Sequence, residues 1–211
     1  MIYFIVTTCI LNKDVRPQKP SRRKKQYING IKRIIEIKKE FENSKIIIVE
    51  NNGERDTFLN KLTKSEIYYT NNNIEIDSMN KGIKEIKDIH DYIKKYNIKD
   101  NDFIVKITGR YVIAEESEFF KKLKNIENID CIIRYGYHTD EPSMKRIDSC
   151  TTGLIGMRCK YVKKVEAPEE KGTVEEKWAK ISHLIDDKRI IKLDKLGIYI
   201  TPNAVNNYYL I

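Results

Sequence analysis

The chain has 211 residues, 40% hydrophobic and 34% charged, with 40 Lys and Arg against 31 Asp and Glu for a formal charge of +9. That is long enough for one sizeable α/β domain with its own core and too apolar for a disordered chain. The basic balance favours polyanionic partners such as nucleic acid, acidic membranes or phosphorylated small molecules. Lys, Ile and Asn recur throughout, as in the products of AT-rich genomes, so charge alone selects none of them.

The opening apolar run, "IYFIVTTCIL", lacks a basic leader and a small-residue cleavage site, and it is far short of the ~20 apolar residues of a membrane span. It reads as a first core strand, Tyr3–Ile10, with no export signal and a cytoplasmic location as the default. A polar loop with two prolines follows, carrying Arg16, Lys19, Arg22, Arg23, Lys24 and Lys25. From Tyr27 to Phe41 the apolar residues Tyr27, Ile31, Ile34, Ile35 and Phe41 share one helical face. "KIIIVE", Lys45–Glu50, is a second buried strand closed by the turn-forming "NNG". A short helix through Phe58, Leu59 and Leu62 precedes a third strand, "EIYYT", after which "NNN" breaks the chain.

Asp77 or Ser78 can cap the next helix, which runs from about Met79 to Tyr96 with Met79, Ile83, Ile86, His90 and Ile93 along one stripe. "FIVKITGRYVI", Phe103–Ile113, looks like a core strand, yet it sets Lys106 and Arg110 around Gly109. A helix through Phe119, Phe120, Leu123 and Ile126 leads to "DCIIRYGY", then to the strand "TTGLIGM", a late helix from about Val174 to Ile185, and finally "GIYI". Alternating strands and helices imply one α/β domain, with a mostly parallel central sheet covered by helices on both faces.

Several chemistries are absent. There is no GxGxxG after the first strand, no GxxxxGK[ST], no Gly-x-Ser-x-Gly elbow and no HExxH. Cys9, Cys131, Cys150 and Cys159 form no CxxC pair and do not cluster with His90, His138 or His183, so they read as thiols of a reducing compartment and no structural zinc site is expected. In an open α/β sheet, ligands collect beyond the carboxyl ends of the strands. The residues there are Thr7, Thr8 and Cys9, then Glu50, Asn51 and Asn52, then Thr70 and Asn71, then Lys106, Thr108, Gly109, Arg110 and Tyr111. Polar groups suited to a base and ribose thus stand beside cations suited to a diphosphate.

The succession "VTT", an Arg-rich loop, "VENNG", "YTNNN", "NKGIKE", "VKITGRY" and "TTGLIGM" resembles the small GT-A glycosyltransferases of large DNA viruses, such as the capsid-decorating enzymes of chlorella viruses and their relatives in giant amoebal viruses. The resemblance runs from Tyr3 to about Leu184. It implies a single GT-A-like (Rossmann-like) domain over 1–211, with a donor-nucleotide half of about 1–112 and an acceptor half of about 113–211. It further implies transfer of a sugar from a nucleotide-sugar donor, a UDP-sugar first among them, to a glycan or glycoprotein hydroxyl in the host cytoplasm. Thr7 and Thr8 would line the nucleoside site, Glu50 and Asn51 would touch uracil or its ribose, and Asn80, Lys81 and Gly82 would approach the donor from a helix N-terminus. Arg23 would lie in a flap over the diphosphate.

Such enzymes usually carry a DxD motif at the end of the fourth strand, whose carboxylates bind Mg²⁺ or Mn²⁺. Here that place is filled by "KITGR". Lys106 and Arg110 could neutralise the departing diphosphate instead, with Gly109 admitting a close backbone approach. A metal-independent or weakly metal-dependent enzyme is the expectation. The competing account of the two cations is structural, with Glu115, Glu116 or a sheet neighbour as partner.

An inverting transferase also needs a carboxylate base. The family places it at the start of a late helix, where "GTVEEKWAKI" supplies Glu175 and Glu176, the second being favoured. Thr173-x-x-Glu176 is equally a capping box. Asp148 is a third candidate, for acceptor binding. His138 and His183 read as surface or packing residues and Trp178 as core, while Tyr111, Tyr135 and Tyr137 are better placed to face a sugar. Two rival functions remain. A sugar-phosphate nucleotidyltransferase would want a Gly-rich loop after strand one, and "TTCILNKDVRPQKP" has no glycine. A non-enzymatic nucleic-acid binder would want aromatics interleaved with its cations, and only Tyr27 stands near them.

Overall fold

The computed structural model describes residues 1–11, 20–137, 146–200 and 209–211. The apolar runs of the first half form β1 (Ile2–Thr8), β2 (Ser44–Glu50), β3 (Glu66–Tyr69) and β4 (Phe103–Thr108). These pair in parallel in the order β3-β2-β1-β4. β5 (Val112–Ile113) and β6 (Cys131–Ile133) follow in the chain, then β7 (Leu154–Arg158), which joins β4 antiparallel and passes to β6. β8 (Ile190–Lys192), which the sequence did not reveal, closes the 7-stranded sheet parallel to β6. The sheet is therefore mostly parallel, as expected, with β7 alone reversed. β9 (Ile198–Ile200) and β10 (Tyr209–Leu210) make a second small sheet with β5.

Period-2 alternation along the strands divides the interior into two cores. Phe4, Val6, Phe103, Val105 and Ile107 point to one face and pack under α1 (Pro20–Lys38) with Phe119, Phe120 and Leu123. Those three residues lie on α5 (Glu118–Leu123). Ile5, Ile47, Val49, Ile104 and Ile155 point the other way, against α4 (Lys81–Lys95) and α7 (Val174–Ser182). Residues Thr7 and Lys106 continue this second set in register, so both side chains are delivered to the α4 side of the sheet.

Three boundaries differ from expectation and matter for the site. α1 begins at Pro20, so Arg22, Arg23, Lys24 and Lys25 lie in its first turns and not in a loop; Arg16 and Lys19 lie outside the described residues, as does His138. α4 is capped by Asn80, whose Oδ1 accepts the Gly82 N–H at 2.9 Å, in place of Asp77 or Ser78. The "NNN" break contains a short α3 (Asn72–Glu75) that brings Asn72 and Asn73 back over the end of β2. The chain also forms α2 (Phe58–Leu62) and α6 (Cys159–Val162). No helix among the described residues is long and apolar enough to cross a membrane.

Candidate functional site

A cavity of about 570 Å³ opens beyond the carboxyl ends of β1 and β4. Of the residues singled out from sequence, Thr7, Thr8, Arg23, Asn51, Asn80, Lys81, Gly82, Lys106, Arg110, Tyr111 and Glu175 line it. Glu50, Gly109, Glu176 and Asp148 do not.

Each of those four has a physical reason. The Glu50 carboxylate is fully buried, and its oxygens accept from Thr8 Oγ1 at 2.7 Å, from the Ile10 N–H at 3.1 Å, from Asn52 Nδ2 and from Arg55 at 3.3 Å. It fastens the loops after β1 and β2 and has no face left for a base or ribose. Gly109 packs inward: a Cβ there would stand 3.0 Å from both Val6 Cγ1 and Thr8 Cγ2, so its missing side chain admits β1 and not a ligand. α1 in turn needs Gly30 to pass this loop, because a methyl on Gly30 would come within 2.7 Å of the Tyr111 carbonyl and closer still to that of Gly109. Glu176 is exposed, with the Tyr137 hydroxyl 3.4 Å away, while Thr173 Oγ1 accepts its N–H at 3.3 Å. Glu175, one position earlier, lines the cavity and accepts from Thr152 Oγ1 at 3.2 Å, so of the two carboxylates it is the one that faces this space. Asp148 is an exposed residue 3.6 Å from Arg146 Nε.

The two cations of the fourth strand end differ. Arg110 is buried, lines the cavity and lies over the Tyr111 ring with its Cζ 5.8 Å from the centroid. Lys106 has 2% of its side chain exposed, and its ammonium is bonded to Glu85 Oε1 at 2.8 Å, the Thr152 carbonyl at 2.7 Å and Thr108 Oγ1 at 3.2 Å. An ammonium has three hydrogens to give, so Lys106 already has a full set of partners. The partner is a helix carboxylate from α4, neither Glu115 nor Glu116. Arg23 is likewise engaged, through Nε and Nη2 to the Cys9 carbonyl at 3.1 and 2.8 Å and through Nη2 to Tyr27 Oη at 3.2 Å.

Sequence reasoning missed Lys84, Glu85 and Asp88. Glu85 also accepts from Thr7 Oγ1 at 2.8 Å, so it joins β1, β4 and α4 at the cavity floor. Lys84 is buried, with Asn73 O and Oδ1 each 3.4 Å from its ammonium. Asp88 accepts from Thr70 at 2.6 Å, Asn72 at 2.7 Å and Asn51 at 3.1 Å. Burial nonetheless pushes its carboxyl up to about 6, against those three bonds. The signal for these residues was their position: 81, 84, 85 and 88 are one turn apart beside the apolar stripe of an amphipathic helix, where charges would normally face away from the core.

A divalent cation, which the GT-A resemblance implies, does not fit this donor set. The fourth-strand end offers Thr108, Gly109 and Arg110 where paired carboxylates would be needed. The cavity carboxylates are each engaged elsewhere: Glu85 with Lys106 and Thr7, Asp88 with three neutral donors, and Glu175 with Thr152. Among the described residues no three His, Cys, Asp or Glu side chains converge as metal ligands. The other expectations from sequence are simpler. Trp178 is core at 1% exposure, His183 packs flat on Tyr135 and meets the Ile147 carbonyl at 2.8 Å, and all four cysteines are free. Tyr135 bonds Ser182 at 2.9 Å away from the cavity, leaving Tyr111 as the tyrosine that lines it beside Tyr27.

No protein-family model and no curated protein matches the chain. Solved structures do. A glucose-1-phosphate thymidylyltransferase from Bacillus anthracis, crystallised with sucrose, matches with a TM-score of 0.56 at 10% identity over 94% of this chain and 89% of that one. TarS 1–349 of S. aureus matches with a TM-score of 0.58 at 15% identity over 95% of this chain, which spans 60% of that one. Against a longer TarS chain the coverage is 95% and 36%, with a TM-score of 0.55. At such identities the likeness concerns the fold alone, and that fold is a single GT-A-like α/β domain.

Proposed function

We propose that the chain is a glycosyltransferase that moves a sugar from a nucleoside-diphosphate sugar, a UDP-sugar first among them, to a glycan or glycoprotein hydroxyl. The observation that carries this is the convergence of Arg23, Lys81, Lys84, Lys106 and Arg110 with Glu175 around one cavity at the carboxyl ends of the parallel strands. Thr7, Thr8 and Asn51 face the nucleoside. Arg110, Lys81 and Lys84 meet the diphosphate, while the Lys106–Glu85 pair forms a charge-balanced floor beneath it, so that Lys106 serves through its partner. As the acceptor oxygen bonds to the anomeric carbon, the bond from that carbon to the phosphate oxygen breaks. The hydroxyl proton passes to Glu175, and the nucleoside diphosphate leaves with its charge held by the cations. Glu175 stands in the first turn of α7.

A thermal-shift screen against UDP-, GDP- and dTDP-sugars tests this directly. A hundredfold excess over Kd stabilises by about 2.7 kcal/mol, and at roughly 2–4 °C per kcal/mol for a domain of this size the shift is about 5–11 °C. The same shift and the same transfer rate are expected in EDTA; a rate abolished by EDTA and restored by Mn²⁺ would reject the metal-free assignment. A chain that ignores every nucleotide-sugar but binds nucleic acid with a steep salt dependence is a basic binding protein. Release of pyrophosphate from UTP and a sugar 1-phosphate would instead mark a nucleotidyltransferase.

A further inference from the structure

Besides the core that α4 and α7 share, one amide and one carboxylate tie the start of α4 to the segment that leads into α7. Asn80 Oδ1 caps α4, and its Nδ2 reaches the carbonyls of Glu169 at 2.9 Å, Glu170 at 3.2 Å and Gly172 at 2.8 Å. In the other direction the Glu170 carboxylate accepts from Ser78 Oγ at 2.6 Å and from the Met79 N–H at 3.0 Å. The backbones meet at Gly82, where a Cβ would come within 2.9 Å of Val174 Cβ and 3.2 Å of Pro168 Cγ. Both sides of this joint line the cavity, with Lys81 and Glu85 on α4 and Thr173 and Glu175 at the start of α7.

The segment before α7 has little of its own to hold it. Between Pro168 and the Thr173 cap its internal backbone bond is Gly172 N–H to Glu169 O at 2.9 Å, and Glu169, Glu170 and Lys171 are exposed. The carbonyls of Glu169, Glu170 and Gly172 are held together by the Asn80 amide. A displacement of about 1 Å in a catalytic group can cost on the order of a hundredfold in rate, so whatever fixes this turn fixes Glu175.

We infer that Asn80 is a positioning residue: its side chain sets Glu175 at the distance from the donor wall that transfer requires, and it is not itself a ligand of the donor. This rests on Glu175 being the acceptor-side base. It departs from the expectation drawn from the sequence, in which Asn80 touches the nucleotide-sugar.

Asn80→Asp separates the two functions of the side chain. Aspartate caps a helix as well as asparagine does, but it has no N–H to give the three carbonyls. Asn80→Ala removes both functions, and Glu170→Ala, at an exposed position, opens the other half of the joint in a chain that still folds. Calorimetric titration with UDP, or with whichever nucleoside diphosphate the screen selects, is expected to give affinities within about twofold of wild type for all three variants. Amide hydrogen exchange over residues 169–176 is expected to rise at least tenfold in Asn80→Asp and Asn80→Ala and less in Glu170→Ala, and the transfer kcat to fall in the same order. Nucleotide affinity lost in Asn80→Asp with exchange over 169–176 unchanged overturns the inference. So does unchanged exchange at any affinity. If wild type binds no nucleoside diphosphate, the proposed function fails, and the exchange measurement still decides whether Asn80 holds the turn before α7.

Discussion

The Lys106–Glu85 pair gives the sharpest quantitative test. Replacing Lys106 by Met keeps the length of the side chain and removes its charge. Glu85 Oε1 then loses a partner at 2.8 Å and the Thr152 carbonyl one at 2.7 Å. Breaking a buried pair by removing one member typically costs about 3–5 kcal/mol. Glu85 keeps its bond from Thr7 and is 21% exposed, so water takes up part of the loss and the lower end, about 3 kcal/mol, applies. At roughly 2–4 °C per kcal/mol for a chain of this length, Lys106→Met should melt about 6–12 °C below wild type. Glu85→Gln leaves the ammonium with neutral acceptors and costs a similar amount. The double variant should be about 2 kcal/mol more stable than the sum of the two single effects predicts, because neither charge is then left buried alone. Equilibrium urea unfolding reads this directly, since the chain has 1 Trp, Trp178, and it is in the core at 1% exposure. A coupling below about 0.5 kcal/mol, the usual scatter for independent sites, would refute the pairing and return Lys106 to the status of a cation available to the diphosphate.

Other expectations are briefer. Asp88 titrates near 6 when folded against 3.8 unfolded, with burial as the leading cause, so the folded state binds its proton more tightly. Its contribution is fully present below the unfolded value and is lost as pH rises through about 6; the difference in urea stability between wild type and Asp88→Asn should therefore change by roughly 2 kcal/mol between pH 4 and 7, and a flat difference would contradict the assignment. Gly30→Ala should destabilise by about 1–3 kcal/mol or more, since the carbonyls it meets are backbone, and should weaken nucleotide binding by moving Arg110; calorimetry at 25 °C checks both. Arg110→Gln should weaken UDP binding at least tenfold while leaving uridine binding within twofold, and Arg110→Lys should rescue little, because a point charge does not reproduce a planar fork. Equal losses for UDP and uridine would assign Arg110 to the nucleoside.

Much of the scaffold was legible because it rests on short-range signals. The apolar runs at Tyr3–Ile10 and Lys45–Glu50 are β1 and β2 to within a few residues, and buried parallel strands advertise themselves as continuous hydrophobic runs; Phe103–Ile113, read as one strand, instead divides after Thr108 into β4 and β5, which belong to different sheets. β8 escaped because Ile190–Lys192 contributes three residues at a sheet edge, partly exposed, with no alternation to detect. α1 begins earlier than its apolar stripe because Arg22–Lys25 extend it with good helix formers that bury nothing central. Among the residues that line the cavity, Thr7, Asn51 and Arg110 follow from one rule, that side chains at the carboxyl ends of parallel strands face a common crevice; Glu175 came from the GT-A resemblance, which favoured its neighbour Glu176. Glu50 obeyed the same rule and still failed, because the loop it closes draws its carboxylate inward to satisfy Thr8, Ile10, Asn52 and Arg55.

Lys106 shows where a linear reading stops. Strand alternation assigns it to the face of Ile104, and therefore toward whichever helix covers that face. Its counter-charge then depends on the rotation of that helix. The stripe read through Met79, Ile83, Ile86, His90 and Ile93 is turned from the one that packs, which runs through Gly82, Ile86, Ile89 and Ile93; Met79 is 69% exposed. On the true phase Glu85 lies one turn from Gly82 and from Ile89, facing the sheet, and meets Lys106 across 21 residues of sequence. A lone cation at the end of a buried strand must find an anion, because an isolated buried ammonium would lose its charge. Sequence establishes that demand but not the source, and a carboxylate from the covering helix meets it before any ligand arrives. Lys106 is thereby committed to the fold of the cavity floor, with Glu85, Thr152 and Thr108 as its partners.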